Sequence, residues 1–499
     1  MSSSFSDFKT LYSKIVNISE ATSLLFWDQL TYMPEGSSSA RAEQAATLQS
    51  IVHELSTGNE MKDLLSKCEA EYASEDENGD TRTMLRIARR DFDRGTKLPA
   101  SLVEEKSRHS TLAYNTWVKA RERSDFDMFA PVLKKTLELT MREIDLLGYK
   151  DHPYDALLEE SEPGVTHAQV KAVFSELKPA LISLISRIKE SGNSVDVSCL
   201  HGDFDLDKQR ALTTFAVKEI GYNFSMGRQD PTVHPFCISM SPQDVRITTR
   251  YDAAYFSAAF YASMHEAGHA LYEQGLPLQY AGTPLCKAAS SGVHESQSRM
   301  WENIVGRSRE YCTHIMPRFR EYFPSFSNCD PEELYRAVNC VKPSFIRVEA
   351  DEATYNLHVL LRFEIESALL EGNLDVDDIP DAWDSAMEEY FGITPPSDAE
   401  GCLQDVHWTG GFGGFPCYTL GNVISLQLWD KLSMDLTDPK QLILNGEFAP
   451  ILTWLRENVH SQGMRYQPFD LVEKITGTKI TAKPLIDYLN NKYSEIYGI

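Results

Sequence analysis

A twelve-residue run of apolar and small side chains, AAYFSAAFYASM (Ala253–Met264), leads directly into two histidines four apart, His265 and His269, with Glu266 between them. The run is too short to cross a bilayer and is closed by Asp252 and His265, so it reads as a buried helix. A helix that is apolar on every side must be wrapped by other elements. Imidazoles carried into such a core need polar partners. Residues i and i+4 of a helix share a face, so both rings point the same way. Glu266 sits about a hundred degrees around the axis, off the ligand position but able to reach a water beside the rings. Two ligands and one general base on a single turn are the mechanical content of H-E-x-x-H. The rival reading is a non-catalytic helical scaffold whose histidines pack and bind nothing. Gly268 costs the helix about 1 kcal/mol relative to alanine, which is tolerable where another element must approach closely.

The rest of the chain can supply the wrapping. Its 499 residues, 42% hydrophobic, are enough for a large core. The first half reads as helix after helix. Ala40–Leu55 is rich in strong helix formers. In the segment from Thr166, residues Val170, Val173, Phe174 and Leu177 form one stripe, with Thr166 as N-cap, Gly192 as stop, and Pro179 expected to kink or divide the helix. Strand pattern is scarce and centres on Cys237–Tyr251. There Val245, Ile247 and Thr249 alternate with Arg246, Thr248 and Arg250. Proline and glycine gather in loops of the last third, ITPPSDAEG and TGGFGGFP. The reading is mainly α. It is a single domain over residues 1–499, with a helical N-terminal lobe to about 230, a metal-binding region at about 231–420, and a small β-sheet beside the motif helix.

A formal net charge of −25, with acids spread along the chain, argues against nucleic acid or an anionic membrane as partner. Nine cysteines without a C-x-x-C pair suit reduced thiols. The N-terminus MSSSFSDFKTLYSK has no apolar signal core. A cytoplasmic location is the expectation.

A hydrolytic metal needs a third protein ligand and an open position. Downstream lies SSGVHESQSRMWENIVGRS, in which Ser291 and Gly292 start a helix and Glu295 lies in its first turn. Adjacent helical residues point in different directions, so one of His294 and Glu295 is the ligand. The carboxylate is favoured because such sets recur in zinc peptidases. The chemistry that follows is hydrolysis of a peptide bond, with Glu266 moving the proton of the attacking water. Recognition of a free C-terminal carboxylate would fall to an arginine fork. Arg246 in DVRITTR and Arg347 in FIRVEADEATY are the candidates, ahead of Arg250, Arg299 and Arg362.

Six fragments in order, HPF (His234–Phe236), DVRIT, HEAGH, HESQ (His294–Gln297), IRVEAD (Ile346–Asp351) and GCLQDVHW (Gly401–Trp408), resemble the carboxypeptidase Taq family of metallocarboxypeptidases. FWDQLTYMP (Phe26–Pro34) and HPYDALLEESEPG (His152–Gly164) are similar to it as well. The resemblance implies zinc on His265, His269 and Glu295, with cobalt or manganese able to use the same ligands, and Glu266 as catalytic base acting on the zinc-bound water. It places Arg246, Arg347, His234 and Gln404 with the substrate, and His407 and Tyr418 as oxyanion or substrate contacts. It implies a helical fold with a deep groove between two lobes, an edge strand able to pair with extended substrate, and a homodimer. It also implies release of single C-terminal residues from peptides with a free C-terminus. A related helical zinc oligopeptidase, acting as dipeptidyl carboxypeptidase or endopeptidase, is the alternative.

Overall fold

The computed structural model describes residues 3–499 as helices with one small sheet. Two compact units are each assembled from interleaved stretches of chain. The first comprises residues up to Thr96 with Val197–Val338 and Leu428–Gly477; the second comprises Lys97–Asp196, Asn339–Gln427 and Thr478–Ile499. No helix among the described residues is long and apolar enough to cross a membrane.

In the first unit, the Cys237–Tyr251 strand signal resolves into a hairpin. Strand β1 (Gln229–Pro231) and strand β2 (Cys237–Ser241) flank β3 (Asp244–Thr249), in the order β1-β3-β2. β1 pairs with β3 in parallel, β2 pairs with it antiparallel, and the β2 register shifts between Ser239 and Ser241. Val245 and Ile247 are buried on one face of β3, as the alternation predicts, but Thr248 on the other face is buried too. Its Oγ1 accepts the Phe236 N–H, which satisfies it inside the core.

The apolar run opens the helix Phe256–Glu273, which packs against β3, the helix Leu206–Glu219 and the helix Ser291–Arg299. Gly268 marks the closest of these approaches: a Cβ there would lie 2.5 Å from Ser298 Cα and 2.6 Å from Gln297 O. Ser290 caps Ser291–Arg299 by accepting the Val293 N–H at 3.0 Å. Glu295, expected in the first turn, falls at the start of the second. The chain then continues as a π-helical turn, Met300–Gly306.

The second unit is built on Glu352–Glu371, which is buried on almost every side and packs on His167–Ser191 and Ile379–Phe391. Thr166 caps His167–Ser191 in a reciprocal box with Gln169, and Gly192 ends it at φ 65°, as the sequence predicts. Pro179 does not divide this helix, which runs unbroken through it. Packing of Leu177, Leu181, Leu184 and Ile185 on both sides of the proline outweighs the one backbone bond that proline removes.

Candidate metal centre

His265 and His269 stand on one face of Phe256–Glu273, and their outer ring nitrogens are already committed. His265 Nδ1 donates to Glu302 Oε2 at 2.9 Å, and His269 Nδ1 donates to the His294 carbonyl at 3.2 Å. Both acceptors lack protons, so Nδ1 carries the hydrogen in each ring, and in the neutral form of each ring Nε2 is the free lone pair. Both Nε2 atoms face the same oxygen, Glu295 Oε2, at 3.7 Å and 3.4 Å. Ligands about 2.1 Å from a tetrahedral ion stand ~3.4 Å apart, so three acceptor atoms are spaced for one cation. With both rings neutral, three acceptors stand together with no hydrogen between them and repel one another unless a cation joins them. The donor set therefore fits the group that the sequence implies.

The surrounding charges support that arrangement. Burial would raise the Glu295 acid, but Arg299, His265 and His269 hold it far below the ordinary carboxylate range. Burial first, and then the neighbouring His294 and His265, lower His269 to about 3 against the opposing pull of Glu295, so its ring stays neutral. Burial opposes the charged form of His265, yet Glu295, Glu302 and Glu266 together raise its pKa. Glu266 is buried beside the rings and is pushed up to about 7 by burial, with Glu295 and Glu302 adding to the effect and His265 opposing it. A carboxyl that titrates near neutrality can take and return a proton.

His294 is turned away from this point. Its Nε2 bonds Glu273 Oε1 at 3.0 Å, and its ring stacks on His269 with centroids 4.5 Å apart. Arg299, a lesser candidate for substrate, is tied into the centre: Nε donates to Glu295 Oε1 at 2.6 Å and Nη1 to Glu302 Oε2 at 3.4 Å. Glu302 is the residue that sequence reasoning missed. It orients His265, and a carboxylate behind a ligating histidine is a recurrent second layer of such sites. The sequence signal was the spacing of Glu295, Arg299 and Glu302, one helical face that continues past the motif.

Arg246 is engaged elsewhere in the same unit. It grips both oxygens of Asp244, Nε at 2.8 Å and Nη2 at 2.7 Å, and the Trp27 ring covers it at 4.4 Å. Trp27 belongs to the FWDQLTYMP segment, so that segment holds the first helix, Ser4–Thr31, to β3. His234 is exposed in the bend between β1 and β2.

In the second unit, Arg347, Gln404, His407 and Tyr418 come together. Arg347 Nε donates to Asp405 Oδ2 at 2.6 Å, Nη1 donates to the Tyr355 hydroxyl at 3.0 Å, and the backbone N–H donates to Gln404 Oε1 at 2.7 Å. The Tyr418 and Phe415 rings lie 5.3 and 5.4 Å from the guanidinium carbon. His407 Nδ1 donates to Asp405 Oδ1 at 2.5 Å, and His407 Nε2 lies 3.4 Å from the Tyr418 hydroxyl.

A second set of two imidazoles and a carboxylate, His152, His167 and Glu371, lacks the character of the first. Its rings are parallel within 8° and stacked at 3.7 Å, so their lone pairs run side by side and do not converge. His152 Nδ1 accepts the Tyr154 N–H, so its Nε2 carries the proton and donates to Glu371. Asp155 accepts the backbone N–H groups of both histidines, at 3.1 and 2.6 Å. This is a clasp that joins two helix starts to the end of Glu352–Glu371.

The profile of the carboxypeptidase Taq (M32) metallopeptidase family matches residues 7–493. Carboxypeptidase 1 of Bacillus subtilis is 41% identical over 493 residues, covering 98% of each chain. Thermostable carboxypeptidase 1 of Thermus thermophilus is 41% identical over 485 residues, covering 95% of each. The crystal structure of the M32 carboxypeptidase from Deinococcus radiodurans R1 superposes with a TM-score of 0.95 at 39% identity over 100% of both chains.

Proposed function

The chain belongs to the carboxypeptidase Taq (M32) metallopeptidase family, and on that premise we propose how its residues divide the work of removing a C-terminal amino acid. The protein is a metallocarboxypeptidase acting on peptides. The metal is assigned as zinc, held by His265, His269 and Glu295, since two imidazoles and a carboxylate suit that ion; cobalt or manganese would use the same atoms. When bound, the ion polarises the scissile carbonyl and acidifies a water. Glu266 accepts the proton of the attacking water and returns it to the departing amine. Glu302 and Arg299 keep His265 and Glu295 aimed.

Arg347 is the arginine assigned to the substrate carboxylate: Asp405 and Tyr355 take Nε and Nη1 and hold the guanidinium in place, and Nη2 is the nitrogen assigned to donate to the substrate. Gln404 fixes the Arg347 backbone. His407 and Tyr418 are assigned as donors to the oxyanion or to the substrate. Arg246 is committed to Asp244 and Trp27, so its assigned part is to hold the β3 edge of the site. The reading covers a single peptidase domain over residues 1–499, release of one residue at a time, a homodimer, and a cytoplasmic location, the last supported by nine cysteines that form no disulfide among the described residues.

The observation that carries the reading is the convergence of the His265 and His269 Nε2 atoms on Glu295 Oε2, with the Glu266 carboxyl buried beside them. The test is a matched pair of peptides, one with a free C-terminus and one amidated. The expected product is a single free amino acid from the first and none from the second. Equal cleavage of the amidated peptide, or dipeptide release, would favour the oligopeptidase alternative.

A further inference from the structure

Asp405 is set apart in its unit by the groups that face it. Its Oδ2 accepts from Arg347 Nε at 2.6 Å and has Arg362 Nη2 at 3.7 Å, while its Oδ1 accepts from His407 Nδ1 at 2.5 Å. The two oxygens therefore serve different partners. Arg362 is almost completely buried in a box of Trp383, Trp408 and Phe415 rings, 5.2, 4.7 and 4.5 Å from its guanidinium carbon. Burial would raise the Asp405 acid, but the hydrogen bond from His407 and the charges of Arg362 and Arg347 hold it far below the ordinary range. The group stays an anion, and an anionic carboxylate only accepts.

That fixes the chemistry of His407. Its Nδ1 must carry a hydrogen, so of the two neutral tautomers only one is compatible with Asp405. Nε2 is then the single variable position, and it is the atom that faces the Tyr418 hydroxyl. When the ring is neutral, the phenol can donate to the Nε2 lone pair. When the ring is protonated, Nε2–H donates to the phenol oxygen and the phenol hydrogen is released to another acceptor. The Phe415 ring meets His407 edge-on at 4.6 Å and limits its rotation.

We propose that Asp405 is a positioning residue for the carboxypeptidase reaction: it fixes the tautomer of His407, and so the direction in which Tyr418 donates, while holding Arg347 by its other oxygen. This rests on the assignment of His407 and Tyr418 to the substrate given above.

Asp405→Asn separates the two tasks. The amide oxygen can still accept from Arg347, but the amide NH₂ then faces His407 Nδ1, which must become an acceptor, and the ring moves to the Nε2–H form. Two-bond ¹H–¹⁵N spectra of the full-length protein, with His407 assigned by difference against His407→Gln, read the tautomer directly. The expected result is Nδ1–H in the unaltered protein and Nε2–H in Asp405→Asn. Because Nε2 passes from acceptor to donor toward Tyr418, the expected kinetic result is a kcat altered by ~100-fold with KM changed by less than about threefold. An Nε2–H ring in the unaltered protein overturns the inference and requires no variant to fold. An unchanged tautomer in Asp405→Asn, or full kcat with the tautomer switched, also overturns it. Arg347→Met is the control for the underlying reading. If its KM for free-carboxylate peptides stays at the starting value, the anchor assignment fails while the tautomer result still stands.

Discussion

Gly268→Ala is a small change with a large consequence for the metal. On an isolated helix it would add about 1 kcal/mol of stability. Here the new methyl would meet Ser298 Cα at 2.5 Å, Gln297 O at 2.6 Å and Ser298 N at 2.9 Å, all backbone atoms that cannot swing aside. Ordinary carbon contact is about 3.5 Å or more, so the helix Ser291–Arg299 must retreat by ~1 Å. Glu295 rides on that helix, and His265 and His269 ride on the other. Their separations of 3.7 and 3.4 Å would open by a similar amount. Metal–ligand distances tolerate only about 0.2 Å. Overpacking of this kind costs about 1–3 kcal/mol, which cancels or exceeds the helix gain. The expected outcome is a metal affinity lower by at least ~100-fold, with unchanged or slightly reduced thermal stability of the metal-free protein. The assay is competition with a chromophoric chelator, alongside thermal unfolding in EDTA. A variant that binds metal as tightly as the parent and melts higher would refute the close-approach argument.

Three other outcomes follow from the same geometry. Glu302→Gln keeps an acceptor for His265 Nδ1 but removes the charge that Arg299 and Arg307 face, so metal affinity should fall ~10- to 100-fold in the same competition assay; unchanged affinity would remove Glu302 from the centre. His358, buried near Arg347 and Arg362, is lowered to about 3, first by burial and then by those charges. Its folded pKa lies below the unfolded value of about 6.5, so its contribution is complete above pH 6.5 and is lost as pH falls toward 3, with about 2 kcal/mol gone at pH 5. His358→Leu should therefore narrow the gap between urea midpoints at pH 7 and pH 5, and an identical gap would exclude this group as an acid-sensitive point. Trp27→Ala uncovers Arg246 and loosens the first helix from β3, so limited proteolysis should cut within residues 4–31 sooner; an unchanged digestion pattern would contradict the clasp.

The candidate metal centre was largely legible in the sequence because most of its residues are local. His265, Glu266 and His269 share one turn, so helical periodicity alone brings them close, whereas Glu295, on the helix Ser291–Arg299, was singled out by the recurrence of such sets in zinc peptidases and by the family resemblance. Gly268 was readable as a contact point because glycine within an apolar helix needs a reason. The hairpin was legible from the alternation in β3, although the split of Cys237–Tyr251 into two strands depended on the Pro242–Gln243 turn. Pro179 misled because a propensity rule carries no information about the packing that overrides it. Glu302 was missed because its hydrogen bond to His265 joins residues 37 positions apart through a π-helical turn. Arg246 and Arg347 could be singled out as arginines, but not their partners. Asp244 is two residues from the first, whereas Asp405 is 58 from the second, and only the fold reveals that both already hold a carboxylate.

On the proposed reading, His265, His269 and Glu295 bind one metal ion and Glu266 acts as base without being a ligand. The direct measurement is metal content by mass spectrometry together with turnover of a free-carboxylate peptide, for the parent chain and for Glu266→Gln. One ion per chain is expected in both proteins, with turnover in the variant reduced by at least ~100-fold. Parent activity is expected to be lost on chelation and to return with zinc. A Glu266→Gln protein that carries metal and retains full turnover, or a parent that hydrolyses peptide after the metal is stripped, would contradict that reading.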